Sequence, residues 1–476
     1  MLKYTKIVAT VSDRRCDVDF IKSIWDAGVN VVRMNSAHIN YEGFKRIVNN
    51  ARTASDSIGI IMDTKGPEIR TTTTVNDEVI DCKKGRIVTI YGNPERLTTQ
   101  TEISLNYSNI SNVLKIGDRL LIDDGEIGFT VTDIKGNEVI AITENDGRLG
   151  SRKSVNLPGV SVDLPSVTER DKINIGYAAE LGVDFIAHSF VRSAADVRAV
   201  QEVLDACGSS AKIISKIENQ EGIDNFDEIL AASYGIMVAR GDLGIEVPAE
   251  RIPGIQMMMI NKCIAAHKPV IVATQMLHSM IEHPRPTRAE VSDVANAVYQ
   301  RADAMMLSGE TAYGKYPVEA VKTMTSVARE VENALRREVS VPPMVDREVT
   351  SFLAHEAVLS EEKIGTKAIF TDAYRGMSAR FIASFRGNNP TFAICHNKNV
   401  MRWLSLSYGV KAYYYPQRQE DIGLHAVSAV RRIVEDGHLG ANERIAYLTG
   451  TRHGARALEI LTPREIIEED KVRNDK

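Results

Sequence analysis

Two short pairs carry most of the acid–base and electrostatic potential of this sequence: Lys216-Ile-Glu218 and Arg240-Gly-Asp242. Side chains two apart on a strand point to the same side, so Lys216 and Glu218 would project together. Glu218 and Asp242 come from successive apolar runs and could hold one divalent ion between them. Two carboxylates leave positions open for water or phosphate oxygens, as Mg²⁺ prefers. A lysine beside such a site suits a phosphorylated anion; the plain alternative is a buried Lys–Glu ion pair. Arg33 and Arg70 could grip phosphate oxygens bidentately. Asn35 and Asp63 offer oxygen ligands to a hard cation, and Thr10, Lys65, Ser189, Thr274, Ser308 and Glu310 also end apolar runs. Phosphoryl transfer asks a protein for positioning and charge neutralisation, which this set supplies.

The elements that would carry these residues are short apolar runs tipped by polar residues. They are Lys6–Val11, Val29–Asn35, Gly59–Lys65, Val183–Phe190, Ala211–Glu218, Gly235–Asp242, Pro269–Gln275 and Ala302–Glu310. Such β-branched, nearly continuous runs predict strands buried on both faces of a parallel sheet. Helical patterns lie between most of them, with Ser166-Val-Thr-Glu169 and Ser193-Ala-Ala-Asp196 reading as capping boxes. The alternation predicts an α/β fold, a (β/α)8 TIM barrel with its site at the C-terminal ends of the strands. It is interrupted over 70–164 by Thr/Val/Ile-rich segments and turn signals, an inserted all-β unit placed to act as a lid. The expected catalytic barrel is thus 1–69 with 165–339, the lid 70–164, and a C-terminal α/β unit for regulation and assembly 340–476. Gln256-Met-Met-Met-Ile260 reads as core helix and Pro284-Arg-Pro-Thr-Arg288 as a rigid structural or interface loop.

Composition excludes several classes. With 476 residues, 43 % hydrophobic and 25 % charged, the chain has the make-up of a globular protein. A net charge of −5 argues against nucleic-acid binding through bulk charge. No apolar run is long enough to cross a bilayer, and the first residues lead into a strand-like segment rather than a signal peptide. Five scattered cysteines without a C-x-x-C pair fit a reducing, cytoplasmic setting. Gly309-Glu-Thr-Ala-Tyr-Gly314-Lys315 begins like a P-loop but continues with Tyr316, where Ser or Thr should reach the metal.

Met62-Asp-Thr-Lys-Gly-Pro-Glu-Ile-Arg70, Ile214-Ser-Lys-Ile-Glu-Asn219, Gly235-Ile-Met-Val-Ala-Arg-Gly-Asp-Leu-Gly244, Pro284-Arg-Pro-Thr-Arg-Ala-Glu290 and Met306-Leu-Ser-Gly-Glu-Thr311 closely resemble pyruvate kinases, in order along the whole chain. The resemblance implies phosphoryl transfer from phosphoenolpyruvate to ADP, giving pyruvate and ATP. It implies Mg²⁺ (or Mn²⁺) on Glu218 and Asp242, and Lys216 stabilising the migrating phosphoryl group and the enolate. Arg33 would grip the phosphate, while Gly241, Asp242 and Thr274 would receive the substrate carboxylate. Thr274 with a water chain towards Ser308 and Glu310 would protonate the enolate. ADP would lie near Asn35, His38, Arg70 and Lys153. The resemblance also implies K⁺ on Asn35, Asp63 and Thr64 and a homotetramer. The loop Thr371–Ser378, before a helix N-terminus, could bind the phosphate of an effector, but it is longer and differently composed than the family's Ser/Thr/Gly-rich loop, and a non-allosteric enzyme is the alternative. The family commonly reads Asn-Phe-Ser-His where this chain has Asn35-Ser36-Ala37-His38, so a K⁺ site without the Ala37 hydroxyl is expected to be weakened. Two other readings start from the same rim: a metal-dependent lyase that stabilises a pyruvate enolate, and a non-catalytic metabolite sensor. The inserted unit and Lys216 favour the kinase over the lyase, and intact Lys216, Glu218, Asp242 and Thr274 favour an enzyme over the sensor.

Overall fold

The computed structural model describes residues 3–37, 39–335, 348–416, 424–451 and 454–474. His38 and the segment around the expected 339/340 boundary lie outside them.

Eight parallel strands close into a barrel. They are β1 Lys6–Thr10, β2 Val31–Asn35, β3 Gly59–Asp63, β4 Phe185–His188, β5 Lys212–Ile217, β6 Gly235–Ala239, β7 Val270–Ala273 and β8 Ala304–Leu307. Each pairs with its sequence neighbour, and β8 returns to β1. Every expected run contains one of these strands, trimmed where the chain leaves the ladder for a polar loop. Val8, Val31, Ile61, Phe185, Ile214, Met237 and Ile271 fill the lumen. Their opposite-parity neighbours Ile7, Val32, Ile60, Ile186, Ile213, Val238 and Val272 pack under the helices. Both strand faces are therefore apolar, which is why the runs do not alternate. Lumen parity carried to the C-terminal rim points Arg33, Asp63 and Lys216 inward together.

After β3 the chain enters a seven-stranded sheet running from Ile69–Arg70 through Ser154–Asn156, Arg119–Ile122, Ile127–Lys135, Glu138–Thr143 and Ile87–Gly92 to Glu102–Leu105. It has its own core around Val88, Ile90, Leu120, Phe129 and Val139. The chain rejoins the barrel at helix Glu169–Glu180, capped by Thr168 with Asp171 closing the box, not by Ser166 as the spacing predicts. Asp171 decides this: its second oxygen accepts the Lys65 N–H across the β3 loop at 2.9 Å, a tertiary contact that sets where the helix begins. The Ser193–Asp196 box forms as expected. Helix Ile252–Ala265 buries Gln256, Met259 and Ile260 but leaves Met257 half exposed, so the Met run is core only in part.

The C-terminal unit is a five-stranded sheet, ordered β11-β10-β9-β12-β13. Its strands are β9 Ala368–Ala373, β10 Thr391–Cys395, β11 Val410–Tyr414, β12 Ile445–Thr451 and β13 Gly454–Leu461. The antiparallel edge strand β13 gives little sequence signal, because Ala457-Leu458 and Ile460-Leu461 break its alternation. Leu406 and Trp403 of this unit plug the lower end of the barrel lumen. Beside them Arg386, 1 % exposed, forms a paired salt bridge to Asp303 just before β8, with nitrogen–oxygen distances of 3.1 and 2.7 Å. Among the described residues no helix is long and apolar enough to cross a membrane.

Candidate active site

The rim of β1–β5 is one bonded network. Arg33 Nη2 lies 2.6 Å from Asp63 Oδ2, and its Nη1 donates to Thr10 Oγ1 at 3.0 Å. Lys216 Nζ reaches three oxygens: Glu218 Oε1 at 2.8 Å, Ser189 Oγ at 2.9 Å and Asp63 Oδ2 at 3.5 Å. Glu218 Oε2 accepts the Phe190 N–H at 2.7 Å, a donor aimed by a left-handed residue with φ of 56°. All these side chains except Arg33 are buried, and Arg33 nearly so. Asp63 Oδ1 and Arg33 Nε are buried and unpartnered among the described residues, so each has bonding capacity left for a guest.

Burial opposes the Lys216 charge, but Glu218 and Asp63 outweigh it and hold the ammonium above its ordinary pKa. Burial pushes Glu218 up to about 7, and nearby Asp242 adds to this against the pull of Lys216. Asp63 goes the other way: burial would raise it, yet Arg33 and Lys216 hold it below the usual carboxylate range.

On the β6–β7 side, Gly241 and Asp242 sit in the first turn of helix Arg240–Glu246. The Gly241 N–H donates to Thr274 Oγ1 at 2.7 Å, so these two expected substrate contacts are bonded to each other here. Thr274 itself has φ of 67°, held by Arg240, whose Nη2 donates to its carbonyl at 2.6 Å. Ser308 Oγ is buried and, among the described residues, unpartnered. Glu310 does not reach that hydroxyl. Its two oxygens accept the Ser308 and Leu277 N–H groups at 2.8 and 3.1 Å, tying the β8 loop to the β7 loop.

The inserted unit faces this rim across a cleft of about 530 Å³ lined by Arg70, Asp123, Lys153, Phe190, Asp242 and Glu246 among others. Arg70 Nε pairs with Glu68 at 2.7 Å and Lys153 with Asp123 at 2.9 Å. Arg33, Asp63, Lys216 and Glu218 are thus in direct contact. Gly241 and Thr274 form a second group, Arg70 and Lys153 the opposite wall, and His38 lies outside the described residues. Ser189 is named by its strand-end position, but its bond to Lys216 is not readable from sequence. Asp293, whose carboxylate takes Arg240 Nη1 at 2.8 Å, and the Phe190 N–H leave no sequence signal, because both act between elements distant in the chain.

The residues 2–321 match the family model described as pyruvate kinase, barrel domain, and 352–461 that of pyruvate kinase, alpha/beta domain. The chain belongs to the pyruvate kinase family. It is 44 % identical to the pyruvate kinase of Borreliella burgdorferi over 98 % of both chains. It is 41 % identical to human pyruvate kinase PKLR over 96 % of this chain and 84 % of that one. A crystal structure of a pyruvate kinase from Cryptosporidium parvum superposes with a TM-score of 0.91 at 34 % identity, covering 97 % of this chain and 96 % of the other. As a pyruvate kinase family member it is a phosphotransferase, which sets aside the lyase and sensor readings.

The donor set fits the divalent ion of pyruvate kinases. Glu218 and Asp242 are hard oxygen donors, and among the described residues no cluster of three His, Cys, Asp or Glu could enclose a metal. An ion there would keep places for substrate oxygens. For a monovalent ion the fit is partial. Asp63 Oδ1, unpartnered among the described residues, and the side-chain oxygen Asn35 Oδ1, which accepts the Ala37 N–H at 3.1 Å, suit it. Thr64 turns its hydroxyl to His188 and Ser189, leaving its carbonyl, which already accepts the Ser189 hydroxyl at 2.8 Å.

Proposed function

We propose that this chain transfers the phosphoryl group of phosphoenolpyruvate to ADP, forming pyruvate and ATP, with Mg²⁺ (or Mn²⁺) and K⁺. The observation that carries the reading is the three-oxygen grip on Lys216 Nζ, which fixes one positive charge beside two buried carboxylates. Arg33 and Lys216 take the phosphoryl oxygens, as donors whose present partners Asp63, Glu218 and Ser189 keep them extended into the rim. As the bond from phosphorus to the enol oxygen breaks and one to an ADP β-phosphate oxygen forms, charge moves onto the enolate beside Lys216. A fixed ammonium in a dry site stabilises that charge most where it develops. Bound Mg²⁺ on Glu218 and Asp242 would add Lewis-acid neutralisation at the phosphate and enolate oxygens.

For a substrate carboxylate the Gly241 N–H turns from Thr274 Oγ1, and the Thr274 hydroxyl turns from the Ala273 carbonyl to which it donates at 2.7 Å, so that both become its donors. The methylene carbon of the enolate then takes a proton from the Thr274 side and becomes the methyl of pyruvate, with the Ser308 hydroxyl, unpartnered among the described residues, as the next station. Glu310 shapes this loop through backbone N–H groups rather than carrying the proton. Arg70 and Lys153 on the inserted unit receive ADP as the unit closes. The reading extends to a homotetramer, checked by light scattering. It also extends to a phosphorylated effector at Thr371–Ser378, where Gly376 leads into helix Met377–Ser384 and its free N–H groups. The test of the reaction is a coupled assay for pyruvate from phosphoenolpyruvate and ADP with Mg²⁺. No pyruvate from the folded protein at millimolar substrates rejects it.

A further inference from the structure

His188 closes β4 with the parity of Ile186, facing away from the lumen and the substrate cleft, and is 0 % exposed. Its Nδ1 meets one group, Thr64 Oγ1, at 3.2 Å, and its Nε2 is buried and unpartnered among the described residues. With the His188 ring proton on Nε2, a chain of donors follows. Thr64 Oγ1 accepts the Ser189 N–H at 3.0 Å, and the Thr64 hydroxyl proton goes to His188 Nδ1. The Thr64 carbonyl accepts the Ser189 hydroxyl proton at 2.8 Å, which leaves Ser189 Oγ as the acceptor for Lys216 Nζ at 2.9 Å. Each hydroxyl proton is used once, and every arrow runs from Lys216 outward to His188.

We infer that His188 and Ser189 are positioning residues for Lys216, acting through Thr64 as a hydrogen-bond relay. The inference rests on the functional reading above and deepens it. Of the three partners of Lys216 Nζ, Glu218 and Asp63 are the groups expected to turn toward cations and substrate. Ser189 is the neutral partner, itself anchored on the Thr64 carbonyl, so it holds the ammonium when the carboxylates are drawn away. His188 matters because it takes the one Thr64 proton that would otherwise compete for Ser189 or leave the loop free to rotate. The relay also fixes the peptide before Phe190, whose N–H holds Glu218.

The experiment compares Ser189→Ala, His188→Leu, His188→Asn and the Ser189→Ala/His188→Leu double variant in the pyruvate assay. Asn and Leu have similar size, but only Asn can present a polar atom near the place of Nδ1. Expected for Ser189→Ala and His188→Leu is a fall in kcat of about tenfold, roughly the worth of one buried hydrogen bond, with the KM for phosphoenolpyruvate changed little. His188→Asn restores most of kcat, and the double variant is no worse than Ser189→Ala alone. A role in packing only would rank them the other way, since Leu suits a dry pocket better than Asn. A working wild type with Leu as active as Asn, or with additive losses in the double variant, overturns the relay alone. A folded wild type that forms no pyruvate overturns the functional reading and the relay with it.

Discussion

Arg240 Nη1 lies 2.8 Å from both carboxylate oxygens of Asp293, a residue on the helix after β7. The other arm of the same guanidinium donates to the Thr274 carbonyl, so a carboxylate with no contact to the rim holds the left-handed turn that aims the Thr274 hydroxyl. Asp293→Asn keeps the size and removes the charge. The expected result is a kcat lower by about tenfold with fold and assembly retained, measured by steady-state kinetics beside circular dichroism. Unchanged kcat would show that Arg240 holds the turn unaided.

Lys216→Met removes the only cation that touches Glu218 among the described residues. Turnover should fall by about 10³-fold while the KM for phosphoenolpyruvate stays within a few-fold, because the ammonium is needed most as charge develops. The variant should also be less stable without metal, by about 3 kcal/mol, since it leaves the buried Glu218 carboxylate without a cation while Asp63 keeps Arg33. Thermal midpoints with and without Mg²⁺ read this, and the deficit should shrink when the ion is present.

The monovalent site predicts a graded response. With no hydroxyl at Ala37, K⁺ should activate the enzyme but only at high concentration. Ala37→Ser should move the activation midpoint down by about tenfold, one added ligand's worth of affinity. Full activity of the parent chain in the absence of K⁺ would remove the monovalent ion from the reaction.

His267 lies at the seam between the barrel and the C-terminal unit, its Nδ1 2.6 Å from Ser384 Oγ and its ring stacked on Phe381 at 4.0 Å. Burial, with nearby Arg380, lowers its pKa from 6.5 to about 4. The unfolded chain therefore binds a proton near pH 6.5 that the folded chain refuses until about pH 4. The stability that the neutral ring confers is present above pH 6.5 and is lost as pH falls towards 4, on the order of 2 kcal/mol between pH 7 and 5. Denaturation at the two pH values should show the loss, and His267→Asn should reduce it. An equal loss in the variant would assign the acid sensitivity elsewhere, His188 being the first place to look, with its pKa lowered to about 4 by burial.

The barrel is legible in the chain because its causes are local. Strands buried on both faces need unbroken β-branched runs, and each such run must turn polar where it meets the rim, so Lys216, Glu218 and Asp63 announce themselves by position. The spacing of two puts Lys216 and Glu218 on one side before any coordinates. What the sequence leaves open is direction and partnership. Nothing in Gly309-Glu310 says that the Glu310 carboxylate turns to backbone N–H groups rather than the Ser308 hydroxyl. Nothing in Thr168–Asp171 says that the helix is capped at Thr168 rather than Ser166, or that Asp171 also takes the Lys65 N–H of the loop after β3. Arg240 and Asp293 lie far apart in the chain and meet because closing eight strands brings the loops of β6 and β7 side by side. A hydrogen bond depends on distance and angle within a few tenths of an ångström, and those are set by the packed barrel as a whole. Residue types and their order determined the family, the strands and the charged rim; the folded geometry alone decided which groups hold Lys216 and which are left free for a guest.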